Sequence, residues 1–291
     1  MRRAILLLLA ACDEALDQRL SIVEDTRILA IVAEPAEVRP GDPVTYGALI
    51  ASPDGPIRDP ATWSYCIAGK PPTEDNVVAP PCLGEESIIP LGASLIVSAA
   101  IPDDACRVFG PEAPDVGYRP RDPDPSGGYF QPIRADYADA RAFGLSRITC
   151  ILPDAPAEIA HRYQLEYAAN VAPGILPLQI FDGDRMVERD AVPANTTLRF
   201  VAGWPPDAAE SYLYYDRATA TLVTRRESLR VSWYATGGSF AVDASGIAEG
   251  AEATSVETTY RSPAAGTTWV WLVLRDSRGG LATETIELTV Q

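Results

Sequence analysis

Hydrophobic and polar positions alternate with a period of two over much of the chain. Leu229, Val231 and Trp233 alternate with Arg230, Ser232 and Tyr234, and Ile286, Leu288 and Val290 do the same near the C-terminus. Successive side chains of a strand point to opposite faces, so this pattern predicts strands with one buried face. Residues 27–33, 44–51, 61–66, 256–260 and 269–274 are further predicted strands, rich in β-branched and aromatic residues. Turn signals separate them, among them Pro40-Gly41-Asp42, Ser52-Pro53-Asp54-Gly55 and Gly237-Gly238. The Asp/Gly-rich stretch 275–280 joins the last two strands as a hairpin. Ser94-Leu95-Ile96-Val97-Ser98-Ala99 is strand-like, whereas residues 103–131, dense in Pro, Gly and Asp, read as loop. One stretch follows a helical period instead. Ile159, Tyr163 and Tyr167 recur every fourth position and predict a short helix over 158–170, with Asp154 as candidate cap and Pro156 in the first turn.

The fold class is therefore mainly β, in two segments, 27–173 and 174–291, that meet at Asn170-Val171-Ala172-Pro173-Gly174. In the first segment the order is strand, Pro-Gly turn, strand, then a strand carrying Trp63. This order resembles the opening of an immunoglobulin-like sandwich. The block 229–290 resembles immunoglobulin-like and polycystic-kidney-disease-type repeats of bacterial surface proteins. It departs from the latter at Trp233-Tyr234-Ala235-Thr236-Gly237-Gly238, which lacks their Asp-Gly-rich turn. The resemblance implies two immunoglobulin-like β-sandwich domains in tandem. The first carries a disulfide-stapled irregular insert and the short helix.

At the amino terminus, Met1-Arg2-Arg3 precedes a short apolar run, Ala4-Ile5-Leu6-Leu7-Leu8-Leu9. The run is far below the ~20 residues that span a bilayer, and with the small residues after it reads as an export signal over 1–11. Leu9-Ala10-Ala11-Cys12 resembles the lipobox of bacterial lipoproteins. That resemblance implies cleavage before Cys12 and acylation of its thiol by palmitate-like chains, so membrane lipid is an expected partner. Residues 12–26 are acidic and read as a solvated tether, of which 13–26 reach roughly 45–50 Å when extended. Asp13 resembles an inner-membrane retention signal, which leans the envelope location toward the inner membrane.

Composition changes this picture by exclusion. The 291 residues include 24 Lys+Arg against 40 Asp+Glu, a formal charge of −16. No uniform basic surface is available, so nucleic acid is not an expected partner. His161 is the single histidine and Lys70 the single lysine. Multi-His zinc sites are excluded, and a lysine nucleophile could only be Lys70. Setting Cys12 aside leaves Cys66, Cys82, Cys106 and Cys150, spaced by 16, 24 and 44 residues. These spacings do not suit a zinc site, and an even set in an exported chain predicts disulfides. Of three possible connectivities, Cys66–Cys82 with Cys106–Cys150 is favoured, closing a Pro-rich loop and the irregular insert.

The familiar catalytic motifs are missing: G-x-S-x-G, H-E-x-x-H, a Gly-Lys-Ser/Thr phosphate loop and G-x-G-x-x-G. No catalytic residue, cofactor or resident metal is assigned. Asp103-Asp104, the run Asp122-Pro123-Asp124 and Asp182-Gly183-Asp184 could each offer a few oxygens to calcium but read as turn chemistry. The leading reading is a non-enzymatic, lipid-anchored envelope module, structural or ligand-binding, with an envelope protein or a glycan as possible partner. A glycan-binding or hydrolase-accessory role would place several of Trp204, Tyr212, Tyr214, Tyr215 and Trp269 exposed on one face. A carboxylate-based hydrolase would place two carboxylates ~5–10 Å apart in a cleft.

Overall fold

The computed structural model describes residues 20–69, 78–111, 128–152 and 154–291. Cys12, Asp13, Lys70, Asp122 and Asp124 lie outside them, as does the export signal. In the first domain the strands are β1 (Arg27–Glu34), β2 (Glu37–Val38), β3 (Pro43–Ser52), β4 (Gly55–Ile57), β5 (Ala61–Cys66), β6 (Ile88–Ser94), β7 (Ile96–Ala100), β8 (Gly128–Tyr137) and β9 (Ala140–Thr149). Helix α1 is Ala105–Val108 and helix α2 is Ala157–Glu166. One sheet is built on β3, which pairs with β1, β4 and β7; the other runs β2-β9-β8-β5-β6. The second domain comprises β10 (Gln179–Asp182), β11 (Arg185–Met186), β12 (Thr197–Gly203), β13 (Ser211–Asp216), β14 (Thr221–Arg226), β15 (Leu229–Ala235), β16 (Ser239–Phe240), β17 (Ala244–Ile247), β18 (Ser255–Arg261), β19 (Gly266–Asp276) and β20 (Leu281–Val290). Its sheets run β11-β10-β12-β18-β16 and β17-β15-β19-β20, with β13 and β14 as a separate hairpin.

Both halves thus repeat one topology, that of the immunoglobulin-like sandwich. Setting aside the shortest edge strands and the β13–β14 hairpin, the first, second and fifth strands of each half form one sheet, and the third, sixth and seventh form the other. In each, a tryptophan on the third strand fills the core: Trp63 and Trp233 are fully buried. Their indole N–H groups are satisfied, Trp63 donating to the Ser94 carbonyl at 2.9 Å and Trp233 to the Ser245 hydroxyl at 3.2 Å. Two disulfides join Cys66 to Cys82 and Cys106 to Cys150, neither of them crossing between sheets beside the tryptophan. In the first domain Tyr46 occupies that space, its ring 6.4 Å from Trp63.

The structure differs from the sequence expectations at several points. Helix α2 ends at Glu166 rather than near Asn170, because Tyr167 turns to extended backbone (φ −69°, ψ 126°) and is drawn into the domain junction. Asp154 is not its cap: Pro156 holds that position without a side-chain bond, and Asp154 adopts φ 55° and pairs with Arg217 at 3.3 Å. The strand expected over 94–99 is two, since the chain changes sheet at Leu95. The stretch read as loop from 103 contains α1, and β8 begins inside it at Gly128.

The tether also needs correction. Residues 21–23 are not part of a solvated spacer. Ser21 and Val23 are buried, the Val23 N–H donates to the Ala235 carbonyl, and the Ala235 N–H donates to Ser21, both at 2.8 Å. Val23 packs with Leu29 and Ala51 of the first domain and Trp271 of the second. The second domain lies along β1 in this way. At one end Trp269 sits against Gly55, where φ is +122° and a Cβ would fall 2.5 Å from the indole nitrogen. Only glycine fits there.

The disulfides close loops of 16 and 44 residues. Loop-closure entropy then predicts that Cys106→Ser/Cys150→Ser costs about 4 kcal/mol and Cys66→Ser/Cys82→Ser about 3 kcal/mol. Urea unfolding of the two double variants measures both, and the larger loss belongs to the Cys106–Cys150 pair.

Candidate functional site at the domain junction

The site begins with a turn. Asp276 closes the β19–β20 connection by accepting the N–H groups of Arg278 and Gly280, each at 2.8 Å. An Asp carboxylate held by backbone donors two and four residues on fixes the turn locally. Here it also aims the Arg278 side chain back toward the first domain. Beside it Gly279, at φ +102°, lets the turn approach the Phe130 ring, which a Cβ would meet at 3.2 Å.

Arg278 is 3% exposed, and all three of its side-chain nitrogens are engaged. Nε donates to Glu227 at 2.6 Å, and one terminal nitrogen to Glu210 at 2.7 Å. The other donates to the Ala168 carbonyl at 3.1 Å and the Tyr167 hydroxyl at 3.3 Å. The same nitrogen lies 3.9 Å from Glu37, which belongs to the first domain. Glu37 itself is fully buried. It accepts from Thr149 at 2.6 Å, the Tyr167 hydroxyl at 2.8 Å and the Asn170 N–H at 3.0 Å, and pairs with Arg147 at 3.1 Å. Asn170 extends the chain of contacts by donating its amide to Asp276 at 3.1 Å. The linker 167–171 is thereby bonded to both domains.

β2 explains why Glu37 is inside. This two-residue strand pairs in parallel with β9 at Arg147 and Ile148, so Val38 enters the core and Glu37 faces the neighbouring domain. Glu210 and Glu227 stand at the base of the β13–β14 hairpin, where the Glu210 N–H donates to Glu227 at 2.9 Å. Four carboxylates, Glu37, Glu210, Glu227 and Asp276, therefore face two guanidinium groups, Arg147 and Arg278. Charge and hydrogen bonding in a dry site are costly unless every group is paired. Burial, with the nearby Asp276 carboxylate next in importance, pushes the Glu227 carboxyl up to about 7. Burial likewise raises Asp276. Tyr167 is raised too, chiefly by burial.

A mainly apolar groove of about 490 Å³ adjoins the network, between β1, β9 and the β19–β20 turn. Ile28, Ala30, Phe143, Leu145, Arg275 and Ser277 are among its walls. The carboxylates of the network do not open onto it as a catalytic pair; Glu37 and Glu227 are sealed and committed to arginine. The two-carboxylate cleft expected of a hydrolase is not formed by this cluster.

The other sequence candidates fall elsewhere. The aromatic platform is not assembled: Trp204 and Tyr215 are buried, and Tyr212, Tyr214 and Trp269 are half-buried. Arg278 covers the Tyr212 ring at 4.8 Å, Arg225 covers Tyr214 at 3.5 Å, and Trp269 faces Gly55. His161 is exposed on α2. Asp104 pairs with Arg107 at 2.8 Å and Asp182 with Arg185 at 3.5 Å, and no cluster of metal-ligating side chains occurs among the described residues. No described helix is long and apolar enough to cross a membrane. Sequence reading missed the network altogether. Its members are single charges scattered over the chain, and Asp276-Ser277-Arg278-Gly279-Gly280 looks like any polar turn.

No protein-family model matches the chain, and the curated sequences contain no match to it. Among solved structures it is similar to the D0-D1 domain of intimin, with 11% identity, TM-score 0.24, and coverage of 90% of this chain and 98% of that one. It is also similar to the fibronectin(III)-like modules of Clostridium thermocellum CbhA, with 9% identity, TM-score 0.25, and coverage of 90% and 94%. A third is the Yersinia pseudotuberculosis adhesin InvE, at 8% identity, TM-score 0.21, and 89% and 58% coverage. With superpositions this loose, the sandwich assignment rests on the strand pairing described above.

Two outcomes follow from the network. Arg278→Met leaves buried carboxylates without their counter-charge and should cost about 3–5 kcal/mol in urea unfolding. Glu227 gives the pH dependence its sign. Its pKa is higher in the folded protein than unfolded, so the stabilisation is complete below the usual carboxylate range and lost as pH rises through about 7. Stability should fall by about 2–3 kcal/mol between pH 5 and pH 8 from this group. Glu227→Gln should flatten that slope, as read from unfolding midpoints at the two pH values.

Proposed function

We propose that this chain is a lipid-anchored envelope protein in which acylated Cys12 holds two immunoglobulin-like domains at a membrane surface. It acts there as a structural or ligand-binding module whose domains keep one fixed arrangement. The observation that carries the second half of this reading is the buried Arg278 network. It ties both domains and their linker together, whereas tandem domains joined only by a linker move by default. The anchor rests on Leu9-Ala10-Ala11-Cys12.

Ser21 and Val23 dock on Ala235 at the junction, so the described chain begins at the seam between the two domains. On this reading the anchor leads to that seam rather than to the far end of either domain. Cells expressing the wild type or Cys12→Ser are labelled with radioactive fatty acid and fractionated. The wild type should carry label and sediment with membranes, and Cys12→Ser should lose both properties. Equal labelling of the two forms overturns the anchor.

A further inference from the structure

The flank formed by β6 and β7 differs from the rest of the surface. From Ser87 to Pro102 the chain carries no charged residue, in a protein whose formal charge is −16. Large apolar side chains are exposed along it: Ile89 is 41% exposed, Leu95 54% and Ile96 63%. Leu83 and Ile67, also exposed, adjoin it, the Ile67 N–H donating to Ser87 at 2.9 Å.

Both strands end their sheets. Among the described residues β6 pairs only with β5, and its outer edge is broken by Pro90, which has no N–H to offer, and by Gly92 at φ +97°. Among the described residues β7 pairs only with β3, in unbroken register from Pro43↔Ala100 to Gly47↔Ile96. Its sequence, Ile96-Val97-Ser98-Ala99-Ala100, contains none of the proline, charge or bulge that normally blunts a free edge. Val97 faces the core, while Ile96, Ser98 and Ala100 are exposed.

We propose that a second copy of this chain pairs along β7, antiparallel about a two-fold axis at Ser98. Ile96 of each copy then lies opposite Ala100 of the other, and the sheets built on β3 become continuous across the dimer. Charge selects this occupant. Two copies of so acidic a chain repel one another wherever carboxylates face across less than a Debye length of about 8 Å. Along the chain no charge intervenes between Glu86 and Asp103, and the carboxylate beside the end of β7 is that of Asp42, whose carbonyl accepts from the Ile101 N–H. A two-fold contact is self-complementary, so one uncharged strand suffices for both partners. Lipid bilayers are a less suitable occupant, since residues 87–102 contain no aromatic or basic side chain to anchor at an interface.

Sedimentation equilibrium of the full chain carrying Cys12→Ser tests the pairing without the lipid anchor. A monomer–dimer equilibrium is expected, tightening as salt screens the flanking carboxylates. Ile96→Lys and, separately, Ser98→Lys should each weaken it by about tenfold or more, while Leu165→Lys on α2 leaves it unchanged. All three positions are exposed, and unchanged thermal midpoints verify folding. A monomer at every concentration and salt overturns the proposal, as does a dimer indifferent to both β7 variants. Co-sedimentation of a monomeric chain with phosphatidylcholine vesicles, abolished by Ile96→Lys, would overturn it in favour of a lipid surface.

Discussion

A guanidinium group buried between two domains must find its counter-charges there, and Arg278 finds them on three separate elements. Glu227 and Glu210 belong to the second domain and Glu37 to the first. The carbonyl of Ala168 and the hydroxyl of Tyr167 come from the linker. The relative position of the sandwiches is set by this requirement as much as by apolar contact. Separating the domains would expose or strand charges whose removal from water has already been compensated. The apolar cluster of Val23, Leu29, Ala51 and Trp271 adds area to the interface, but area alone tolerates sliding. A fork of fixed donors does not.

The same requirement explains local features that look unrelated. Helix α2 stops short because Tyr167 and Asn170 serve Glu37. β2 exists as two residues because that is enough to turn Glu37 outward and Val38 inward. The tightness of the β19–β20 turn follows from Asp276 holding the backbone that carries Arg278. Burial raises the Glu227 carboxyl, and the Asp276 carboxylate beside it adds to the effect. The junction is therefore a place where proton uptake and domain packing are linked.

Much of the architecture was legible in the sequence. The alternation at Leu229, Val231 and Trp233 sets one face of β15 against the core, and the Asp/Gly-rich turn before β20 marks the last hairpin. Both signals are local, because strand period and turn chemistry are properties of a few adjacent residues. The site was not legible for the opposite reason. Glu37 and Arg278 meet only after both sandwiches have folded, and nothing near either residue distinguishes it from surface charge. The short helix illustrates the boundary between the two cases. Its period is written in Ile159 and Tyr163, but its end is decided by a contact made across the junction. The docking of residues 21–23 was missed likewise: acidic neighbours suggested solvent, and Ile22-Val23 is too short an apolar run to signal burial.

The route of the amino-terminal segment has a mechanical meaning. Residues 21–23 exchange two backbone hydrogen bonds with Ala235 and wedge Val23 between the domains. Ser21 and Val23 are bonded to β15 of the second domain, while β1 of the first begins only four residues after Val23. The segment is thus shared by both domains, and it cannot leave Ala235 without also unseating Val23 from its packing against Trp271.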